Sequence, residues 1–221
     1  MTPQAQTSIW LALAWLLYFF LHSLFAATTV KRRVAAALPQ LAGHYRLAFN
    51  LVSLLLLLPL AALIEAGDGA PLWHWQGSAA HVALALRVAA VLAFVASLRS
   101  YDLSVFLGWR QLRPPGQGDG EALRISDMHR FVRHPWYFLL LVLLWTGEMS
   151  APMLESALLI TGYLVVGAWL EERKLLGEYG TAYAEYRASV GGLLPLPWKI
   201  LSRQRAAELQ TRASAGRATA S

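Results

Sequence analysis

Long uncharged apolar blocks alternate with short charged ones along this chain. Ser8 to Val30 is the first block, broken only by His22; Leu47 to Ile64 is the second. The third runs from about Ala79 to Leu98 and is interrupted by Arg87. Phe131 to Leu170 is a further apolar stretch of about 40 residues, room for two helices of the ~20 residues that hydrocarbon demands. Glu148-Met149-Ser150-Ala151-Pro152 offers the turn between them. Only helices and closed barrels satisfy their backbone inside lipid. The pattern therefore predicts an all-α, multi-pass membrane bundle of about five transmembrane helices.

The polar blocks then orient the bundle. Glu65–Ser78 and Glu148–Glu155 carry acids and no Lys or Arg, whereas every Lys and Arg except Arg87 lies in the alternate segments. This positive-inside pattern places the N-terminus outside and the C-terminus in the cytoplasm. Composition agrees, with 57% hydrophobic and 14% charged residues. The net charge of +6 follows from this topology and from anionic inner-leaflet lipid, not from nucleic acid. The first block lacks a basic flank and exceeds a signal-peptide core, so it is expected to stay as a helix. With no cysteine in the chain, disulfides, thiolate metal sites and cysteine nucleophiles are excluded. No His and carboxylate set has metal-ligand spacing, and no internal repeat suggests a transporter.

Residues 1–203 read as a single membrane domain. Residues 1–112 hold three N-terminal helices, and residues 121–198 hold a helical hairpin and a C-terminal segment. Arg113 to Gly120 is a Pro- and Gly-rich cytoplasmic loop. Beyond the last apolar block the chain is expected to remain helical, as a cytoplasmic C-terminal segment, from Glu171 to about Ser189. Gly191-Gly192 ends it. Leu193 to Trp198 is an apolar, proline-bearing surface strip, and the Ala-, Arg- and Ser-rich residues 204–221 are expected to be disordered.

Chemistry concentrates in two places. Arg133-His134-Pro135-Trp136-Tyr137 opens the fourth apolar helix, with proline where its missing N–H costs nothing. Glu171-Glu172-Arg173-Lys174 closes the fifth. Glu172, Leu176, Tyr179, Tyr183 and Tyr186 share one helical face, a wall able to meet an amphipathic cation through a carboxylate and aromatic rings. The same residues also fit a charged helix stop and an interfacial aromatic belt. Arg133 and His134 fit either a carboxylate- and heterocycle-binding pair or an interfacial anchor. Tyr137, Leu141 and Trp145 continue the first motif along one face, which ordinary packing explains. His22 and Asn50, inside their spans, suit interhelical hydrogen bonds, and Arg87 suits snorkelling to the outer interface.

Arg130-Phe131-Val132-Arg133-His134-Pro135-Trp136-Tyr137 resembles the RxxRHPxY signature of integral-membrane methyltransferases, the isoprenylcysteine carboxyl and phospholipid N-methyltransferases among them. Glu171-Glu172, Tyr179-Gly180, Tyr183, Tyr186-Arg187 and Leu194-Pro195 resemble the second block of that superfamily. Leu21-His22-Ser23-Leu24, Val30-Lys31, Tyr45-Arg46, Asn50 and Tyr101 to Gln111 are similar to a bacterial branch with methanethiol S-methyltransferases and NnrU-like proteins. The resemblance implies S-adenosylmethionine as cofactor, without a metal, in a bacterial inner membrane. It implies that Arg133, His134, Pro135 and Tyr137 hold the cofactor from the hairpin, with Glu171 and Glu172 at its ribose or amino group. Tyr183, Tyr186 and Arg187 would close the cytoplasmic side. Arg133, Glu172 and His129 would be the catalytic candidates. The acceptor would be a small thiol such as methanethiol, or another lipophilic molecule arriving through membrane lipid; isoprenylcysteine-type carboxyl or phospholipid N-methylation is the alternative. One departure from the resemblance stands out: such proteins often carry Gly-x-Tyr-Arg where this chain has Asp127-Met128-His129-Arg130. A membrane reductase using NADPH fits less well, because Trp136 replaces the Asn of its RHxNY-like motif. A non-enzymatic NnrU-like membrane factor is the remaining alternative.

Overall fold

The computed structural model describes residues 2–67, 70–100 and 123–218. The loop Arg113 to Gly120 and the segment Tyr101 to Gln111 lie outside the described residues. Eight α-helices are described: α1 (Pro3–Ala26), α2 (Thr28–Ala37), α3 (Tyr45–Leu55), α4 (Leu57–Ala66), α5 (Gly77–Ser97), α6 (Pro135–Trp145), α7 (Ala151–Ser189) and α8 (Arg203–Ala218). Short 3-10 turns cover Pro39–His44, Leu98–Ser100 and Met128–Arg130. Among the described residues there are isolated bridges but no strands. The protein is an all-α integral membrane protein.

Among the described residues, four helical stretches are long and apolar enough to cross a bilayer: Gln4–Ala26, Pro39–Ala66, Gly77–Ser97 and Ala151–Ser189. The fourth expected span begins at its proline, but α6 has only 11 residues, about half of what hydrocarbon demands. The second span is interrupted at Leu56, between α3 and α4. Pro59 explains the break, since it has no N–H to give the carbonyl four residues earlier. The first block also divides, at Ala27, whose backbone is extended; the basic Lys31-Arg32-Arg33 then falls on α2.

The chain packs as two compact units. One takes the described parts of Met1–Ala80 together with Gly147–Ile160. Its core is Leu11 and Trp15 of α1 and Leu60 of α4, with Leu159 and Ile160 of α7 packed against them. The indole of Trp15 donates to Ser156 Oγ at 2.9 Å, which satisfies both groups in a dry interior. His22 Nδ1 lies 3.2 Å from Ser53 Oγ, an interhelical hydrogen bond of the expected kind. Trp10, Leu13, Leu16, Leu17 and Phe20 remain exposed on α1, as a lipid-facing surface requires.

The other unit takes His81–Ser100, the described part of Gly118–Thr146, and Thr161 onward. Trp136 at the start of α6 donates to Ser97 Oγ of α5 at 2.9 Å, and Trp145 at its end donates to Thr161 Oγ1 of α7 at 3.1 Å. Trp145 thus packs, as its position suggested. Helix α7 is not continuous: Gly180 has φ 54° and ψ −129°, outside any helical region, so a straight segment to Tyr179 meets a second one from Thr181.

The expectation of disorder after residue 203 is wrong for Arg203–Ala218, which is helix α8. Ala206, Leu209 and Ala213 line one of its faces and are buried against Tyr179, Ala182, Tyr183, Tyr186, Val190 and Leu201. Composition hid this stripe, because two of its three members are alanines. Arg205 and Arg212 of α8 clasp Glu185 of α7 at 2.7 Å each.

Candidate functional site

The site in the second unit begins with backbone pairing. Arg133 N donates to Gly191 O at 2.8 Å and His134 N to Gly192 O at 3.2 Å. These bonds tie the residues preceding α6 to the chain that follows α7. The approach is close: a Cβ on Gly191 would lie 2.3 Å from Leu194 O, and one on Gly192 would lie 3.2 Å from Arg133 Nη2. Gly191 is therefore required by space, and Gly192 sits tightly against the Arg133 guanidinium. Pro135 starts α6 at its first position, so the helix points away from the charged pair without leaving an orphan donor.

The Arg133 guanidinium then turns inward. Its Nε and Nη2 lie 2.8 and 2.7 Å from Glu172 Oε1. Its Nη1 donates to the carbonyls of Arg187, at 2.8 Å, and of Val190. Glu172 is buried, and its carboxylate is saturated. His134 Nε2 lies 3.2 Å from Oε1, and Arg187 Nε lies 3.0 Å from Oε2. Three nitrogen-bearing side chains thus converge on one carboxylate, as the burial of a charge requires. His134 is buried as well; it stacks on Tyr137 at 5.4 Å and 11°, and its Nδ1 lies 3.5 Å from Glu171 Oε2.

The members differ in access. The side chains of Glu171 and Arg187 are about half exposed, at 50% and 46%, whereas those of Arg133, His134 and Glu172 are 11%, 6% and 8%. A buried knot therefore carries a lip with one half-exposed acid and one half-exposed base. Tyr183 and Tyr186 belong to the wall behind it: both are buried in the α7–α8 core, their rings 5.7 Å apart. Tyr186 donates to His129 O at 2.8 Å.

The segment before the knot is braced from α8. Ile125 N donates to Gln210 Oε1 at 2.7 Å, Arg130 Nε to Leu201 O at 2.9 Å, and Leu201 N to Arg130 O at 3.0 Å. Asp127 meets Arg130 at 3.2 Å and Arg203 at 3.3 Å. His129 Nδ1 lies 2.7 Å from Ser126 Oγ. Burial, with the neighbouring His134 adding to it, lowers its pKa to about 4, so the ring is neutral near pH 7. The structure thus gathers Arg133, His134, Glu171, Glu172 and Arg187 into one cluster, puts Tyr137 against it, and leaves Tyr183 and Tyr186 behind. Sequence reasoning missed the main-chain acceptors at Arg187, Val190, Gly191 and Gly192, which no residue type announces. The glycine pair was their one visible signal.

A family model described as "NnrU protein" matches residues 10–189, most of the chain. The chain belongs to the NnrU protein family. The match spans α1 to the end of α7, including the knot; the glycine pair and α8 lie beyond it. This NnrU-family chain is 30% identical over 195 residues to "Methanethiol S-methyltransferase 2" of Bradyrhizobium diazoefficiens, covering 86% of this chain and 72% of that protein. It is 34% identical over 138 residues to "Methanethiol S-methyltransferase" of Mycobacterium tuberculosis, covering 58% of this chain and 54% of the relative. Against the protein of that name from Pseudomonas deceptionensis it is 40% identical over 85 residues, 32% of the relative. No solved structure is a significant match.

Proposed function

We propose that this NnrU-family protein transfers a methyl group from S-adenosylmethionine to a small thiol, such as methanethiol to give dimethyl sulfide, or to another lipophilic acceptor at the membrane. The observation that carries the reading is the charged lip over a buried knot, on a chain similar to curated methanethiol S-methyltransferases. The donor set suits the cofactor, whose amino-acid end is a zwitterion and whose ribose is a hydrogen-bond donor. Glu171 would take the ammonium or ribose hydroxyls, Arg187 the carboxylate, and the His134–Tyr137 stack the flat or cationic part. Glu172 has a different task in this reading: it holds Arg133, His134 and Arg187 in place, and its own oxygens are already taken.

Bound S-adenosylmethionine would supply an electrophilic methyl on a sulfonium. The chain's part is positioning and the exclusion of water, which dominate such an in-line displacement. A thiol supplies some thiolate near neutral pH, its proton passing to water. Glu171, Arg187 and the His134–Tyr137 stack would hold the cofactor, which would supply its methyl to the acceptor sulfur and leave as the neutral thioether. His129 binds protons too weakly to be a strong base.

The test is calorimetric titration of the full chain in detergent with S-adenosylmethionine, followed by assay with methyl-labelled cofactor and methanethiol. Wild type is expected to bind, and Glu171→Gln and Arg187→Ala each to weaken binding about tenfold or more, ~1.4 kcal/mol. Unchanged binding in both variants would remove the lip from the site. No binding by wild type would sink the reading and favour a non-enzymatic membrane factor. Labelled lipid or prenylcysteine ester in place of dimethyl sulfide would move the acceptor to those classes.

A further inference from the structure

The stretch from Leu193 to Arg203 takes no part in the knot. It contains no acidic residue, two prolines, and the cations Lys199 and Arg203. Between Gly192 and α8 it forms no helix, only a turn in which Lys199 N donates to Leu196 O at 2.8 Å. Three of its large apolar side chains point outward, Leu194 at 60% exposed, Trp198 at 77% and Ile200 at 52%, while Leu201 turns into the core. A soluble surface would not carry such a patch without a partner.

The depth of the strip in the membrane follows from its root. Gly191 and Gly192 pair with Arg133 and His134, the residues at which apolar α6 begins. The strip therefore leaves the fold at the level where hydrocarbon gives way to headgroups. Glu172, bonded to Arg133, marks the same level on α7, and the exposed Arg173 and Lys174 follow it at once. Pro195 and Pro197 lower the number of backbone donors needing partners, an advantage for irregular chain in a poorly hydrating medium. Tryptophan is the residue most at home in that layer, and nearby cations are attracted to an anionic leaflet.

We propose that Leu193 to Ile200 is an interfacial anchor, lying in the cytoplasmic headgroup layer with Leu194, Trp198 and Ile200 toward the acyl chains and Lys199 on anionic lipid phosphates. The anchor fixes Gly191-Gly192 from the lipid side while α8 fixes it from the protein side. It does not depend on methyl transfer.

The absence of cysteine makes the test direct. Leu194→Cys, Ile200→Cys and, as control on the exposed face of α8, Thr211→Cys are labelled singly with a nitroxide. The full chain is placed in nanodiscs of phosphatidylglycerol and phosphatidylethanolamine, after confirming wild-type thermal unfolding. Collision with oxygen is expected to exceed collision with an aqueous nickel chelate several-fold at 194 and 200, and the order to reverse at 211. Dominant nickel collision at 194 and 200 would overturn the anchor. So would dipolar broadening between singly labelled copies, which would make the strip an interface between chains. Exchange into phosphatidylcholine is expected to make both labels shallower; unchanged depth would overturn the anionic contact.

Discussion

At the scale of single residues, Glu172 and Arg187 look alike as ion-pair partners but differ in what they hold. Glu172 is buried among Arg133, His134 and Arg187, and removing its charge leaves the Arg133 guanidinium, itself nearly buried, without its anion. Breaking a buried pair costs about 3–5 kcal/mol, so Glu172→Gln is expected to lower the thermal unfolding midpoint markedly in detergent. Arg187 is half exposed, where solvent screens the pair and its contribution is at most about 1 kcal/mol. Arg187→Ala should therefore keep near-normal stability while losing cofactor affinity. If it unfolds as readily as Glu172→Gln, the division into knot and lip fails. Legibility at this scale was partial. The Arg133-His134 and Glu171-Glu172 pairs announce themselves by placing charge at the ends of apolar blocks. That Arg133 spends its donors on Glu172 and on main-chain carbonyls does not show, because those partners lie 39 to 57 residues away in the chain.

At the scale of elements, the site rests on α7 and α8. The bend at Gly180 requires glycine: its backbone angles are those an L side chain resists, at about 1–3 kcal/mol. A methyl there would meet nothing within 4 Å among the described residues, so Gly180→Ala isolates the conformational cost. It is expected to lower stability by about that amount, and an unchanged melting temperature would show the bend to be dispensable. Leu209 is fully buried between α8 and the tyrosines, so Leu209→Ala should cost about 2–5 kcal/mol and loosen the segment that Gln210 and Leu201 brace. Limited proteolysis near residues 200–203 would read this loosening; equal resistance to cleavage would argue that α8 is not a brace. The tyrosine face was visible as a periodicity through the bend, but its partner was not. A helix of small residues offers little hydrophobic contrast, and its stripe becomes legible only when something packs on it.

At the scale of the whole molecule, stability should depend on acid through His129. Folded, this group takes up its proton only at about pH 4; unfolded, at its ordinary 6.5. Between those values the unfolded chain binds more protons than the folded one, so stability rises with pH across the window and is lost as pH falls through it. Melting in detergent from pH 7 to pH 4.5 is expected to show this fall, and His129→Gln to flatten it. A slope identical in both proteins would assign the acid sensitivity elsewhere.

The order of residues alone establishes a helical membrane protein and where most of its spans run, and it sets clusters of charge at the ends of two apolar blocks. Those properties are additive along the chain: hydrocarbon rejects each charge locally, and a block of about 20 apolar residues has few alternatives. Only the tertiary structure decided which charges meet, that α6 is short, that α7 bends, and that α8 exists at all. Each of these depends on a partner far away in the chain. A carboxylate is saturated, or an alanine stripe buried, only when distant segments come together.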